Sequence, residues 1–311
     1  MGETMNDAVN KKKVLSFLGL TFLVDWLLAG LMYLSGGKLN TTGGLAMSIA
    51  YMFVPMIMAI VVTKLIYHEP IKEPLGISFR PNRWWLAAWL IPPAISLGAF
   101  GVALLFPHVT YSPEMAGIYE HFGKVFTPEQ VDRIRKQQEL FPIHPFWLAV
   151  AQGLIVGPTL NALFAFGEEL GWRGFLQKEL GPLGFMRASA LIGLIWGVWH
   201  APIILMGHNF PDHPVAGAFL WTVNCVNLGI VFSYVRVRAR SVIAAAVMHG
   251  TYNATWAVSI ILLAGIDDLV TGLQGIAGMI ATASVAVLLL AFDRFVSKEP
   301  IAGGGRRRPA P

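Results

Sequence analysis

The sequence contains a single cysteine, Cys225, so it can form no intrachain disulfide. Charged residues are scarce, at 13% of 311, about half the share usual in a soluble domain. No HExxH zinc signature and no internal repeat is present, and no stretch of soluble composition is long enough for a second domain. The net charge is +5, but its lysines and arginines form no stripe with interleaved aromatics, and no nucleic-acid partner is expected. What remains is apolar: 55% of residues are hydrophobic and the mean hydropathy is +0.59. Several continuous runs approach or exceed the ~20 residues that cross a bilayer core as a helix. A transmembrane barrel would instead alternate over roughly ten-residue segments. The expected fold class is therefore all-α, a polytopic bundle in the lipid bilayer.

About eight spans are expected, near 14 to 35, 45 to 67, 84 to 106, 146 to 170, 185 to 206, 214 to 235, 241 to 264 and 273 to 292. The first follows Lys11 to Lys13 and is too long for a signal-peptide core, so it is expected to remain as an anchor. Lysine and arginine concentrate in the turns at 72–83, 178–187 and 236–240, on the side of both termini, which predicts cytoplasmic termini by the positive-inside rule. The turns at 207–213 and 265–272 have neither and read as external. The connection 107–144 has mixed charge and contains "TPEQVDRIRKQQEL", where Thr127 as N-cap and Pro128 at the first helical position predict a short surface helix. The tail "GGGRRRPAP" reads as a disordered basic segment able to touch anionic headgroups. The organisation expected is 1–144 for the first helices and the external segment, 145–264 for a catalytic core, and 265–311 for the last helix and tail.

Ionisable groups inside a span cost about 2.5 to 3.5 kcal/mol each at its centre, so they need partners or a purpose. Here they cluster in the stretch "GEELGWRGFL" (Glu168, Glu169, Arg173), in "WGVWHAP" (His200) and in "MHGTYNA" (His249, Asn253). Glu169 and Arg173 are four apart with the acid first, the favourable order for a pair on one face, and Glu168 lies about 100 degrees round the helix, free of that pair. His249 and Asn253 share one face, as do Trp196 and His200. Asp25, alone in the first span, has no evident partner set and reads as an acid near an interface. The remaining histidines lie in or beside expected loops and have no assigned role. Gly167, Gly171, Gly174, Gly193 and Gly197 permit close helix approach near the cluster.

These three motifs, EExxxR at Glu168 to Arg173, an aromatic-xxx-His at Trp196 to His200, and His-xxx-Asn at His249 to Asn253, resemble in order and context the family of CAAX proteases and bacteriocin-processing enzymes. That family includes the Ras-converting type of prenyl endopeptidase. The resemblance covers roughly 145 to 260, with Trp196 where family members often have phenylalanine, a change that touches packing more than chemistry. It implies an intramembrane endopeptidase with a conical polar cavity inside the bundle, Glu168 as general base and His200 helping to hold the attacking water. His249 and Asn253 would stabilise the oxyanion, and Glu169 with Arg173 would support the site. The implied partners are a membrane-anchored peptide or protein substrate and the bilayer itself, with no obligatory cofactor. Zinc held by Glu168, His200 and His249 ranks second, since those types could ligate it. A proton-coupled transporter would also use intramembrane Glu and His, though no inverted repeat accompanies them. A non-catalytic scaffold of the same fold is a further alternative.

Overall fold

A computed structural model describes residues 8–140 and 142–302 and has the expected all-α bundle. The basic tail expected to be disordered lies outside the described residues. Three helices open the chain: α1 (Lys11–Leu34), α2 (Thr42–Ile60), prolonged by a π-helical turn over Val61–Ile66, and α3 (Arg83–Ala103). Each starts at a polar cap, where the side chains of Asn10, Thr41 and Asn82 accept the backbone N–H of Lys13, Gly44 and Trp84. Strand β1 (Thr110–Tyr111), α4 (Ala116–Val125) and α5 (Pro128–Glu139) form the long connection. As expected, Thr127 caps α5, in a reciprocal capping box with Gln130.

The next helical run, Pro145–Glu179, is 35 residues long. It consists of α6 (Pro145–Ile155), a π-helical stretch Gly157–Asn161, α7 (Ala162–Glu169), a second π-helical stretch Leu170–Leu176, and α8 (Gln177–Glu179). Such wider turns recur at functional sites. Beyond it come α9 (Phe185–Trp199), α10 (Ala201–Leu205), α11 (Pro214–Ala239), α12 (Val242–Ala254), strand β2 (Leu263–Ala264) and α13 (Ile276–Phe295).

Among the described residues, six helices are long and apolar enough to cross a membrane, where about eight spans were expected. The difference lies in the fifth and seventh expected spans. The fifth breaks at His200 into α9, 15 residues, and the short α10, and 15 residues rise only ~22 Å against a ~30 Å hydrocarbon core. The seventh reduces to the 13 residues of α12, after which the apolar sequence to 264 forms a 3-10 turn and β2. Most of α12 is buried, because α3, α7 and α11 surround it and leave it little contact with lipid. An apolar run that sits inside the protein is as greasy as one that spans the membrane.

Polar contacts sort the loops onto two faces. Lys13 pairs with Glu69 at 2.6 Å and Glu179 at 2.8 Å, Arg236 donates to the Leu75 carbonyl, Ser241 to the Ser78 carbonyl, and Arg238 binds Asp293 at 2.6 Å. The start of α1, the end of α13 and the basic turns therefore share one face. On the other, β1 pairs antiparallel with β2, and His213 and Asp212 reach Asp268. A satellite core of Met115, Ile118, Ile260 and Ile261 docks the long connection there. Small residues let the helices around the site approach closely. A Cβ on Gly250 would lie 2.7 Å from the Asn161 carbonyl carbon, and one on Gly193 would lie 2.7 Å from the Val226 Cα.

Candidate active site

Glu168 and Glu169 end α7, and the π-helical stretch that follows carries Arg173. Arg173 Nη1 donates to Glu169 Oε1 at 2.9 Å, with both side chains fully buried. The same oxygen accepts from His249 Nδ1 at 2.8 Å, which ties α12 to this helix across the bundle. Glu169 is thus the shared anchor of an arginine and an imidazole. The guanidinium also lies over the rings of Trp196 and Phe232, at 4.4 and 5.0 Å from their centroids.

Glu168, expected to be free of partners, is held by α9: Trp196 Nε1 donates to Glu168 Oε2 at 2.8 Å. Trp196 therefore does more than pack. Its ring stands edge-on to both His200 and His249, each at 5.4 Å between centroids, so one side chain touches the carboxylate, both imidazoles and the arginine. A phenylalanine has no N–H and could not make the carboxylate contact. His200 Nδ1 lies 2.8 Å from the Trp196 carbonyl. A carbonyl can only accept, so Nδ1 carries the proton and a neutral His200 presents a bare lone pair at Nε2.

Asn253 is the exposed member of the set. It lies one turn beyond His249 on α12 and its side chain hydrogen-bonds to none of the described residues, whereas Glu168, His200 and His249 are 3%, 7% and 4% exposed. The expected cone is accordingly closed around the carboxylate and imidazoles, because Trp196, Trp199, Trp221 and Phe232 pack round them. Open clefts of about 690 and 440 Å³ lie on the external segment, lined by residues such as Tyr119 and Arg135 in one and Arg133 and Lys136 in the other. Among the described residues, the group whose ligand-type atoms all lie within 4.8 Å of one another is His213, Asp267 and Asp268, on the face opposite the basic turns.

Asp25 was placed by sequence near an interface without partners, and the structure corrects this. It is fully buried in the bundle, accepts from Trp199 Nε1 at 2.6 Å, and lies close enough to Glu168 for their charges to interact. The sequence carried one signal for it, an acid inside an apolar run, but its partner is 174 residues away. Cys225, as expected, is a buried small hydrophobe.

Residues 143–255 match the profile of the family described as type II CAAX prenyl endopeptidase Rce1-like. Through this segment the chain is similar to the CAAX protease family. The CAAX-protease segment runs from the approach to α6 to the end of α12 and contains Glu168, Glu169, Arg173, Trp196, His200, His249 and Asn253. A relative from Methanococcus maripaludis, CAAX prenyl protease 2, is 29% identical over 101 residues, which are 30% of this chain and 37% of the relative's length. The similarity thus spans little more than a third of that relative, and α1 to α3, with Asp25 and Tyr51, lie outside the CAAX-protease segment.

Proposed function

We propose that the chain is an intramembrane endopeptidase in which Glu168 activates water against a peptide bond of a membrane-tethered substrate. The observation that carries this reading is the Trp196 bond to Glu168 Oε2, which fixes one carboxylate oxygen on the same ring that meets both imidazoles and leaves Oε1 with no partner among the described residues. A water between Oε1 and His200 Nε2 would meet two acceptors. Both its O–H bonds would be engaged and an oxygen lone pair would point at the substrate. As the oxygen attacks the scissile carbonyl, its proton passes to Glu168, and the carbonyl π-electrons move to the oxygen. His249, in its doubly protonated form, and Asn253 donate to that oxyanion. Collapse breaks the C–N bond while Glu168 returns its proton to the departing nitrogen. Glu169 and Arg173 orient His249.

General-base action of this kind contributes about 10² to 10⁴ in rate, and one oxyanion donor such as Asn253 about 2.7 to 4 kcal/mol. The match of residues 143–255 to the CAAX prenyl endopeptidase profile supports the peptidase class. The Arg236 bond to the Arg173 carbonyl sets the site ~15 Å or less below the basic face, counting Glu168 to Lys178 at 1.5 Å per residue. That face belongs to the cytoplasm in this reading, with both termini there and cleavage close to it. The exposed Asn253 marks the side on which the peptide enters. Neither histidine is needed as a metal ligand, and zinc content after chelator dialysis tests that part. For the whole reading, the purified protein in vesicles is offered lipid-anchored peptides. Wild type should cleave, Glu168→Gln should lose at least 100-fold, and flux across the vesicle without hydrolysis would support a transporter instead.

A further inference from the structure

A carboxylate in the first helix, outside the CAAX-protease segment, reaches the site through a tryptophan. Asp25 is fully buried, and only one of its oxygens is bonded: Oδ2 accepts Trp199 Nε1 at 2.6 Å, while Oδ1 has no protein partner among the described residues. Trp199 is also fixed at its other end, where its carbonyl accepts the Tyr51 hydroxyl at 2.6 Å. This is where α9 stops, with Ala201–Leu205 resuming as α10, and His200 is the residue at the break.

The consequence is a paired arrangement on α9. Trp196 and Trp199, three residues apart, each donate an indole N–H to a carboxylate, Glu168 and Asp25 respectively. His200 stands edge-on to both rings, and Trp199 is the nearer, at 4.7 Å between centroids against 5.4 Å. A shift of the Trp199 ring therefore moves the imidazole whose Nε2 faces the reacting water.

We propose that Asp25 is a positioning residue, which, through the Asp25–Trp199 bond and together with Tyr51, sets the orientation of His200. The inference rests on the assignment of His200 to water orientation, and its test is chosen to separate the two. Three variants are compared in vesicles: Asp25→Asn keeps an acceptor oxygen, Asp25→Leu removes it at similar volume, and Trp199→Phe removes the donor and keeps a ring. Turnover of a lipid-anchored peptide should fall 10-fold or more in Asp25→Leu and Trp199→Phe with KM within about twofold, and Asp25→Asn should restore most of it. The double variant Asp25→Leu/Trp199→Phe should be no worse than the poorer single, as expected for one shared bond. In ¹⁵N-histidine spectra, with His200 assigned by its absence from His200→Gln, the His200 signals should shift in Asp25→Leu and stay near wild type in Asp25→Asn.

Unchanged His200 signals in a folded Asp25→Leu protein would overturn the inference, and so would multiplicative losses in the double variant or equal losses in the Asn and Leu variants. If Asp25→Leu does not fold, Trp199→Phe carries the same prediction. The spectra report on His200 even when no peptide is hydrolysed. A protein whose His200 moves with Asp25 but that cleaves nothing would sink the peptidase reading and leave the positioning intact.

Discussion

Replacing Glu169 with glutamine should destabilise the protein far more than the same change at its neighbour Glu168. Glu169 and Arg173 are fully buried with 2.9 Å between charged atoms, and at an effective dielectric constant of 20 their mutual attraction is about 6 kcal/mol. Much of that offsets desolvation in the intact pair. In Glu169→Gln the guanidinium stays buried without its counter-charge, and such breakage costs about 3 to 5 kcal/mol. The loss extends to His249, whose Nδ1 shares the same oxygen. Glu168→Gln retains an amide oxygen able to accept from Trp196, so its stability should stay within about 1.5 kcal/mol of wild type, the value of an ordinary hydrogen bond. The assay is thermal melting in detergent followed by fluorescence-detected size exclusion, run on both variants at one heating rate, with peptide cleavage measured in parallel. The expected pattern is a stable, inactive Glu168→Gln and an unstable Glu169→Gln. Equal melting losses would refute the division of labour between the two carboxylates.

Three further outcomes follow. Gly250→Ala places a methyl group against the backbone of residues 157 to 162 and should cost about 1 to 3 kcal/mol, whereas Gly101→Ala meets nothing within 4 Å and should leave the melting midpoint unchanged or raise it. His213, whose hydrogen bond to Asp268 lifts its pKa above the ordinary value, should titrate in NMR at a higher pH than it does in Asp268→Asn. Its contribution to stability is complete below about pH 6.5, the unfolded value, and is lost as pH rises through the raised folded value, so the opposite pH slope would contradict the pairing. With Cys225 replaced by alanine, cysteine at Arg80 should label from the cytoplasm and cysteine at Asp212 from outside, since both positions are exposed and lie on opposite faces. Labelling of both from one side would reverse this topology.

Much of the site is legible in the sequence because polar groups are conspicuous in apolar helices. Glu169 and Arg173 stand at a spacing that brings them together in an α-helical or π-helical turn alike. Their partner His249 could be nominated but not paired, since that contact depends on how α12 packs, fixed by Gly157 and Gly250 against each other's backbones. Asp25 had no neighbour at helical spacing to signal its role, and its meaning lies wholly in the tertiary contact with Trp199. The difference between six long apolar helices and about eight expected spans has a related cause. Hydropathy registers removal from water, and α12 is removed from water by protein. The break at His200 did leave a trace, Pro202, the second residue of α10, where a continuous helix had been expected.

The central claim, water activated by Glu168 within the membrane, is tested most directly by mass spectrometry of lipid-anchored peptides incubated in H₂¹⁸O with the protein reconstituted in vesicles after exhaustive chelator dialysis. The account predicts one ¹⁸O in the new C-terminal carboxyl of the wild-type product and no product above background from Glu168→Gln. Cleavage that persists in Glu168→Gln, or that disappears on dialysis and returns with zinc alone, would contradict it.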